Sequence, residues 1–274
     1  MSLAFLRFAL ASLFLAPFFL KESKKIKIKK EDLPKLIAVG VFSITLNIAF
    51  FFEGIKKTSA INASTLTLTI PILSVLLGWW FLKEKVYLIN LMGIGLGFLG
   101  ALTIVGIPQI FTGNFSPQVF LGNLLLISAS ISWVVGAIIS KQILNKYSSL
   151  IVTAVGFLVG TTTMFIPALM EYVKNPSWPN QITILGLLGL AYMTLLSSIS
   201  AYFLFEWGLS KTSVTMADLF QYIEPFVATI LAVMILGERI SSSFLIGAVL
   251  IGVGAYLGTL AKELHHRHHK AHRI

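Results

Sequence analysis

No cysteine occurs among the 274 residues, which excludes disulfides, thiol catalysis and Cys-ligated metal. Charge is scarce too: Asp, Glu, Lys and Arg make up 12% of the chain, about half the share usual in a soluble domain. Acidic residues are the scarcest, 11 against 21 Lys and Arg, for a formal net charge of +10. The space is filled by apolar residues, 56% of the total, with a mean hydropathy of +0.87. The outer faces of a soluble protein need polar side chains, and this chain cannot supply them. It reads as an all-α polytopic membrane protein. The excess of positive charge does not point to nucleic acid, because the basic residues lie between apolar runs rather than along one face.

A helix needs about 20 apolar residues to cross a bilayer. Nine runs qualify, near 2–20, 34–55, 58–82, 86–106, 119–140, 148–170, 182–209, 212–236 and 240–261. The connections are short, polar and marked by Gly, Pro, Asn and Lys, as in "GIPQIFTGNFSPQ" and "KNPSWPNQ". Lysine and arginine placement sets the orientation. With the loop "KESKKIKIKKEDLPK" in the cytoplasm, alternation puts sixteen basic residues on that side and four opposite (Lys56, Lys57, Lys174 and Arg239). The C-terminus is then cytoplasmic, in a cell (inner) membrane, and the N-terminus outside.

An internal repeat organises the chain. "GIKKTSA" at 54–60 returns as "GLSKTSV" at 208–214, an offset of 154, and the register holds without a gap to Ala101/Ala255. Matching pairs include Lys57/Lys211, Thr58/Thr212, Ser59/Ser213, Ala63/Ala217, Pro71/Pro225, Glu84/Glu238, Gly93/Gly247 and Gly100/Gly254. Apolar helices match at Leu and Ile by composition alone, but not at Pro, Glu, Gly and a KTS triplet. The first copy spans 1–106 with four helices, the second 107–262 with five, and 263–274 is a basic, His-rich tail. Five helices per copy would make the repeat inverted across the membrane. The opening run, with Pro17, aligns at an offset of 150 with the run ending at Pro167, so nothing in the first copy corresponds to the helix at 121–141. Either a first helix is missing, by truncation or a mis-set start, or the chain is a true nine-helix form.

These residues resemble the EamA type of the drug/metabolite transporter superfamily. The likeness rests on "KKTSAINASTLTLTIPILSVLLGWWFLKE", on "SKTSVTMADLFQYIEPFVATILAVMILGE" and on the arginine and alanines of "LRFALASLFLAPF". It implies a ten-helix transporter with a central pocket between its halves, and export of amino acids or related small metabolites.

The stretch "DLFQYIEPF" supplies the expected pocket. Pro225 and Pro71 have no N–H for the carbonyls of Gln221 and Thr67, so both mark helix breaks at equivalent places. Inverted-repeat transporters bind substrate at such breaks near the midplane. Asp218, Gln221, Tyr222 and Pro225 share one helix face, with Glu224 on its flank. A carboxylate at mid-membrane costs roughly 2.5–3.5 kcal/mol. It must be paired, wetted by a cavity or protonated, so Asp218 or Glu224 is the expected proton carrier. Tying helices together is the plainer role for both. The facing wall of the first copy offers Ser64 and Thr67, so the pocket suits a ligand with an amino group or several hydroxyls. Asn47, Ser132, Trp133, Ser197, Ser198 and Tyr202 are further lining candidates, although buried Tyr and Trp more often serve the core.

Arg7, the basic residue well inside a span, either neutralises a carboxylate or snorkels to the surface. Glu53 reads as interfacial, Glu206 is ambiguous, and Glu84 and Glu238 read as structural anchors. Gly93/Gly97 and Gly254/Gly258 are GxxxG pairs that permit close helix approach. "GIGLG" follows no strand, so it is not a nucleotide loop. The tail "KELHHRHHKAHRI" reads as a solvated basic segment near anionic headgroups. No cofactor is expected. The partners are a small-molecule substrate, a proton where transport is coupled, and the lipid bilayer; nucleic acid is excluded and a homodimer is compatible. The alternatives to a secondary transporter are a non-transporting membrane scaffold and an intramembrane enzyme, the latter without HExxH or Ser–His pairing to support it.

Overall fold

The computed structural model describes residues 1–67, 69–82, 88–105, 116–212, 214, 217, 230–231, 233–235, 237, 240 and 242–271. Among them there is no strand. The helices are α1 (Ser2–Ser23), α2 (Leu33–Gly40), α3 (Asn47–Ile55), α4 (Ala60–Leu66), α5 (Thr69–Leu82) and α6 (Leu88–Val105). After them come α7 (Pro117–Ile143), α8 (Ser149–Lys174), α9 (Ile184–Thr194), α10 (Ala201–Lys211) and α11 (Ser242–Ala271). A π-helical segment, Val41–Leu46, joins α2 to α3, and a second, Leu195–Ser200, joins α9 to α10. The expected run at 212–236 lies largely outside the described residues, and the other eight runs coincide with these helices.

Six continuous helical stretches are 22 to 28 residues long and apolar enough to cross a membrane. At 1.5 Å per residue even the shortest reaches about 33 Å, beyond the roughly 30 Å hydrocarbon core. Their outward faces are greasy: Leu13, Trp80, Ile184 and Leu185 are at least 70% exposed. Lipid tails suit such faces and water does not. The chain is an all-α, multi-pass membrane protein.

The chain divides into two compact units, Met1–Ala49 with Val135–Ser213 and Phe50–Val134 with Val214–Ile274. Each unit therefore combines sequence from both copies of the repeat. In the first unit α1 packs against α8, its counterpart at an offset of 150. Ser2 bonds to Ala168 and Glu171, the Phe5 and Phe165 rings lie 5.7 Å apart, and Ser12 meets Thr161 at 3.2 Å. Partner numbers fall as α1 numbers rise, so the two helices run antiparallel. The 33–46 stretch packs on α8, while α9 and the second π segment pack on α1.

In the second unit the most extensive contact is between α6 and α11, again a helix and its counterpart. Glycine makes it possible. A Cβ on Gly100 would lie 2.6 Å from the carbonyl of Gly247, and one on Gly254 would lie 2.5 Å from that of Gly93. Gly100 also faces Ile251, and Gly254 faces Gly97. Since 93 + 154 = 247, 97 + 154 = 251 and 100 + 154 = 254, exchanging the two helices leaves this contact set unchanged. The backbones touch, as small residues in membrane helices allow.

The π segments extend the same register backwards. They span 41–46 and 195–200, and 41 + 154 = 195 while 46 + 154 = 200. Hydroxyls reinforce both through bonds five residues back: Thr45 to the Gly40 carbonyl, Ser198 to Met193 and Ser200 to Leu195. A wide turn of this kind inside an α-helix is rare and is often found at functional sites.

Candidate functional site

The span from Ile184 to Lys211 reverses the usual distribution of polarity. Its buried residues are Thr194, Ser198, Glu206 and Leu209, three of them polar. Thr194, Ser198, Tyr202 and Glu206 recur every four residues, which places them along one face. The apolar residues of the span look outward, and the polar stripe looks toward protein.

Arg7 from α1 meets the upper part of this stripe. Its Nε donates to the Ser198 hydroxyl, and a terminal nitrogen donates to the Ser197 carbonyl at 3.4 Å. Only 6% of Arg7 is exposed, so it does not snorkel. Nor does it pair with a carboxylate among the described residues. The π segment takes the place of a counter-ion by presenting a hydroxyl and a carbonyl together. The Phe8 ring lies 4.9 Å from the guanidinium carbon. Tyr202 stands edge-on to Phe8 and Phe157, at 6.2 and 5.5 Å, and closes the cluster with aromatic surface.

Glu206 occupies the lower part. It is 5% exposed and accepts a hydrogen bond from the Ser140 hydroxyl of α7. The adjacent Lys141 donates to the Leu209 carbonyl at 2.8 Å, near the end of α10. Sequence reasoning left Glu206 ambiguous and did not single out Ser140. The four-residue recurrence of polar residues through an apolar span was the available signal. Glu53, in contrast, pairs with Lys56 at 2.7 Å, and both side chains are about half exposed. That is a surface pair, as its interfacial position implied.

At the end of the first unit from which α8 starts, Asp32 is buried and bonds to Lys146 at 2.7 Å and to the Tyr147 hydroxyl at 2.9 Å. The Lys29 amide donates to that same hydroxyl at 3.1 Å. The hydrogen bond to Asp32 holds the Lys146 ammonium above its ordinary pKa. This clasp ties the loop after α1 to the loop before α8. It brings the two loops side by side.

The "KKTSA" turn is a helix start. Ser59 caps α4 by accepting the Asn62 amide at 3.0 Å. Thr58 donates to Asn123 of α7 at 2.7 Å and accepts from Asn62 at 3.1 Å. Downstream the helical ladder tightens at Thr67, whose carbonyl accepts the Ile70 amide at 2.9 Å because Pro71 has none to offer. The hydroxyls of Ser64 and Thr67 turn back onto the carbonyls of Ile61 and Ser64, at 2.9 and 2.6 Å. Asn47 opens α3 directly after the first π segment. Ser132 is buried and Trp133 half-buried on α7. Asn47 and Tyr202 belong to the first unit, and Ser64, Thr67 and Trp133 to the second. Asp218, Gln221, Tyr222, Glu224 and Pro225 lie outside the described residues, as do Glu84 and Glu238. Among the described residues no His, Asp or Glu cluster could hold a metal ion.

Residues 1–106 and 120–260 match the EamA-like transporter family. An uncharacterized transporter of Archaeoglobus fulgidus is 30% identical over 262 residues, covering 96% of this chain and 88% of its own length. An uncharacterized transporter of Clostridium kluyveri is 25% identical over 252 residues, covering 91% of this chain and 80% of its own. One solved crystal structure shares the fold with a TM-score of 0.64 at 20% sequence identity, covering 95% of this chain and 87% of the solved chain.

Proposed function

The chain belongs to the EamA-like transporter family, and from that premise we propose that it exports small metabolites, amino acids and related compounds, by alternating access. That it is a membrane transporter follows from the family and from relatives that carry that description. The substrate class, the direction and the mechanism are our reading.

One observation carries this reading further: the reciprocal, antiparallel contact of α6 with α11. Two helices related by the repeat and meeting in this way are what two oppositely inserted copies produce. The antiparallel pairing of α1 with α8 supports the same arrangement, and so do the π segments at equivalent positions. In such transporters the substrate sits where helices break near the midplane. The pocket we propose uses Pro71 and Pro225 as its helix breaks and draws on Asp218, Gln221, Tyr222, Glu224, Ser64 and Thr67. The carboxylates recognise an amino group, and Asp218 or Glu224 can carry a coupling proton. The C-terminus is cytoplasmic and the membrane is the cell (inner) membrane.

Flux tests the proposal. Purified protein in liposomes loaded with a mixture of amino acids, amines and sugars should release amino acids faster than protein-free liposomes. Asp218→Asn should weaken the pH dependence of that release. A full set of probes with no flux would favour the membrane-scaffold reading, and Asp218→Asn with unchanged pH dependence would remove that residue from coupling.

A further inference from the structure

Glu206 is not among the pocket residues proposed above; it belongs to the span that precedes Asp218 in sequence. A carboxylate removed from water must be paired with a cation, wetted or protonated. Glu206 is 5% exposed, and its bonded partner is a neutral hydroxyl, that of Ser140. The charged and titratable groups on the elements packed around it are engaged elsewhere or far off. Lys141 of α7 donates to the Leu209 carbonyl, and Arg7 of α1 to Ser197 and Ser198. Tyr202 is one turn away on the same helix. The acid of α8, Glu171, is bonded to Ser2 at the other end of that helix. No ion pair to Glu206 forms among the described residues.

The pair also lies near the ends of its two helices, each of which carries a lysine in its last turn, Lys211 and Lys141. Glu206 is five residues from the end of α10 and Ser140 three from the end of α7. At 1.5 Å per residue these are rises of about 8 and about 5 Å along the helix axes. Behind Glu206 the polar face continues through Tyr202 to Ser198 and Arg7, into the π segment. A buried acid with a neutral partner, near two helix ends and at the foot of a polar stripe, is suited to bind a proton and release it. Among the described residues a permanent ion has no counter-charge here.

We propose that Glu206 is an exchangeable proton site of the transport cycle, protonated while it is sealed against Ser140 and ionised when that contact opens to water. Uptake forms an O–H bond between a Glu206 carboxylate oxygen and a proton from water, and release returns the proton to water. Nothing is oxidised or reduced. The inference rests on the transporter reading, since a proton site has this use only in a cycle that opens and closes.

Infrared pH titration of the full chain in liposomes tests it without a substrate. The protein should show a carboxylic-acid carbonyl band that appears and disappears reversibly with pH. Glu206→Gln should lose that band, whereas Asp218→Asn and Glu224→Gln should retain it. Should Glu206→Gln fail to fold, Glu206→Asp serves instead by moving the band's frequency. Ser140→Ala should displace the titration midpoint. A band that ignores pH marks a locked proton and overturns the proposal. So does a native-minus-Glu206→Gln difference spectrum with no titrating band, or a band that keeps its frequency in Glu206→Asp. Absence of flux in the liposome assay would sink the transporter reading and leave this band unaffected, so the two failures are distinguishable.

Discussion

Gly254 sits so close to Gly97 that a Cβ on Gly254 would lie 2.5 Å from the Gly97 amide nitrogen. The contact lies within a helix pair whose two members occupy equivalent places in the repeat, and swapping them reproduces the same neighbours. Close approach of backbones here is a property of the pair, because Gly100 is held by Gly247 in the same way.

Substitution at this crossing should therefore be costly. Gly254→Leu has only backbone to push against, so it should force α6 and α11 apart at a cost of about 1–3 kcal/mol or more. Gly95, where an added methyl would meet nothing within 4 Å, provides the control. Gly95→Ala should change stability by less than about 0.5 kcal/mol. Thermal unfolding in detergent, compared between the two variants, checks both.

Arg7 makes a directional demand that lysine cannot meet. Its two hydrogen bonds to the π segment leave from different nitrogens of a planar group, one toward a hydroxyl and one toward a carbonyl. Arg7→Lys keeps the charge but loses that fork. Both Arg7→Lys and Arg7→Ala should destabilise the first unit, by about 2 kcal/mol for the alanine variant. A chemical denaturation series reads the difference, and full stability of Arg7→Lys would show that charge alone suffices.

How far these features could be read from the sequence depended on their physical range. Helical spans were legible because hydropathy accumulates over some twenty neighbouring residues. The glycine faces and the proline break at Thr67 were legible because each residue type acts on its own backbone. The Ser140–Glu206 bond was not, since it joins residues 66 apart and neither residue carries a local signature of the other. The π segments escaped for another reason: hydropathy periodicity does not separate a five-residue bond from a four-residue one. Arg7 was expected beside a carboxylate or at the surface. The structure instead gives it the acceptors of a π segment, which no residue count reveals.

Alkali should loosen the clasp between the loops after α1 and before α8. The Lys146 ammonium is held above its ordinary pKa by Asp32. Its stabilising contribution is therefore complete below the ordinary lysine value and is lost as pH rises through the value in the folded protein. Amide exchange at Lys29, bonded to the Tyr147 hydroxyl, should be slower in the native chain than in Lys146→Met. That difference should vanish at high pH, and a difference independent of pH would separate the amide from the ion pair.

The central claim is that two copies of one helical unit are inserted in opposite directions. Because the chain has no cysteine, single cysteines placed at equivalent positions report on it directly. Lys57→Cys and Lys211→Cys are such a pair, since 57 + 154 = 211. With a membrane-impermeant maleimide on intact cells, the account predicts labelling of Lys57→Cys from outside and of Lys211→Cys only after the cytoplasm is opened. Labelling of both from the same side would contradict it.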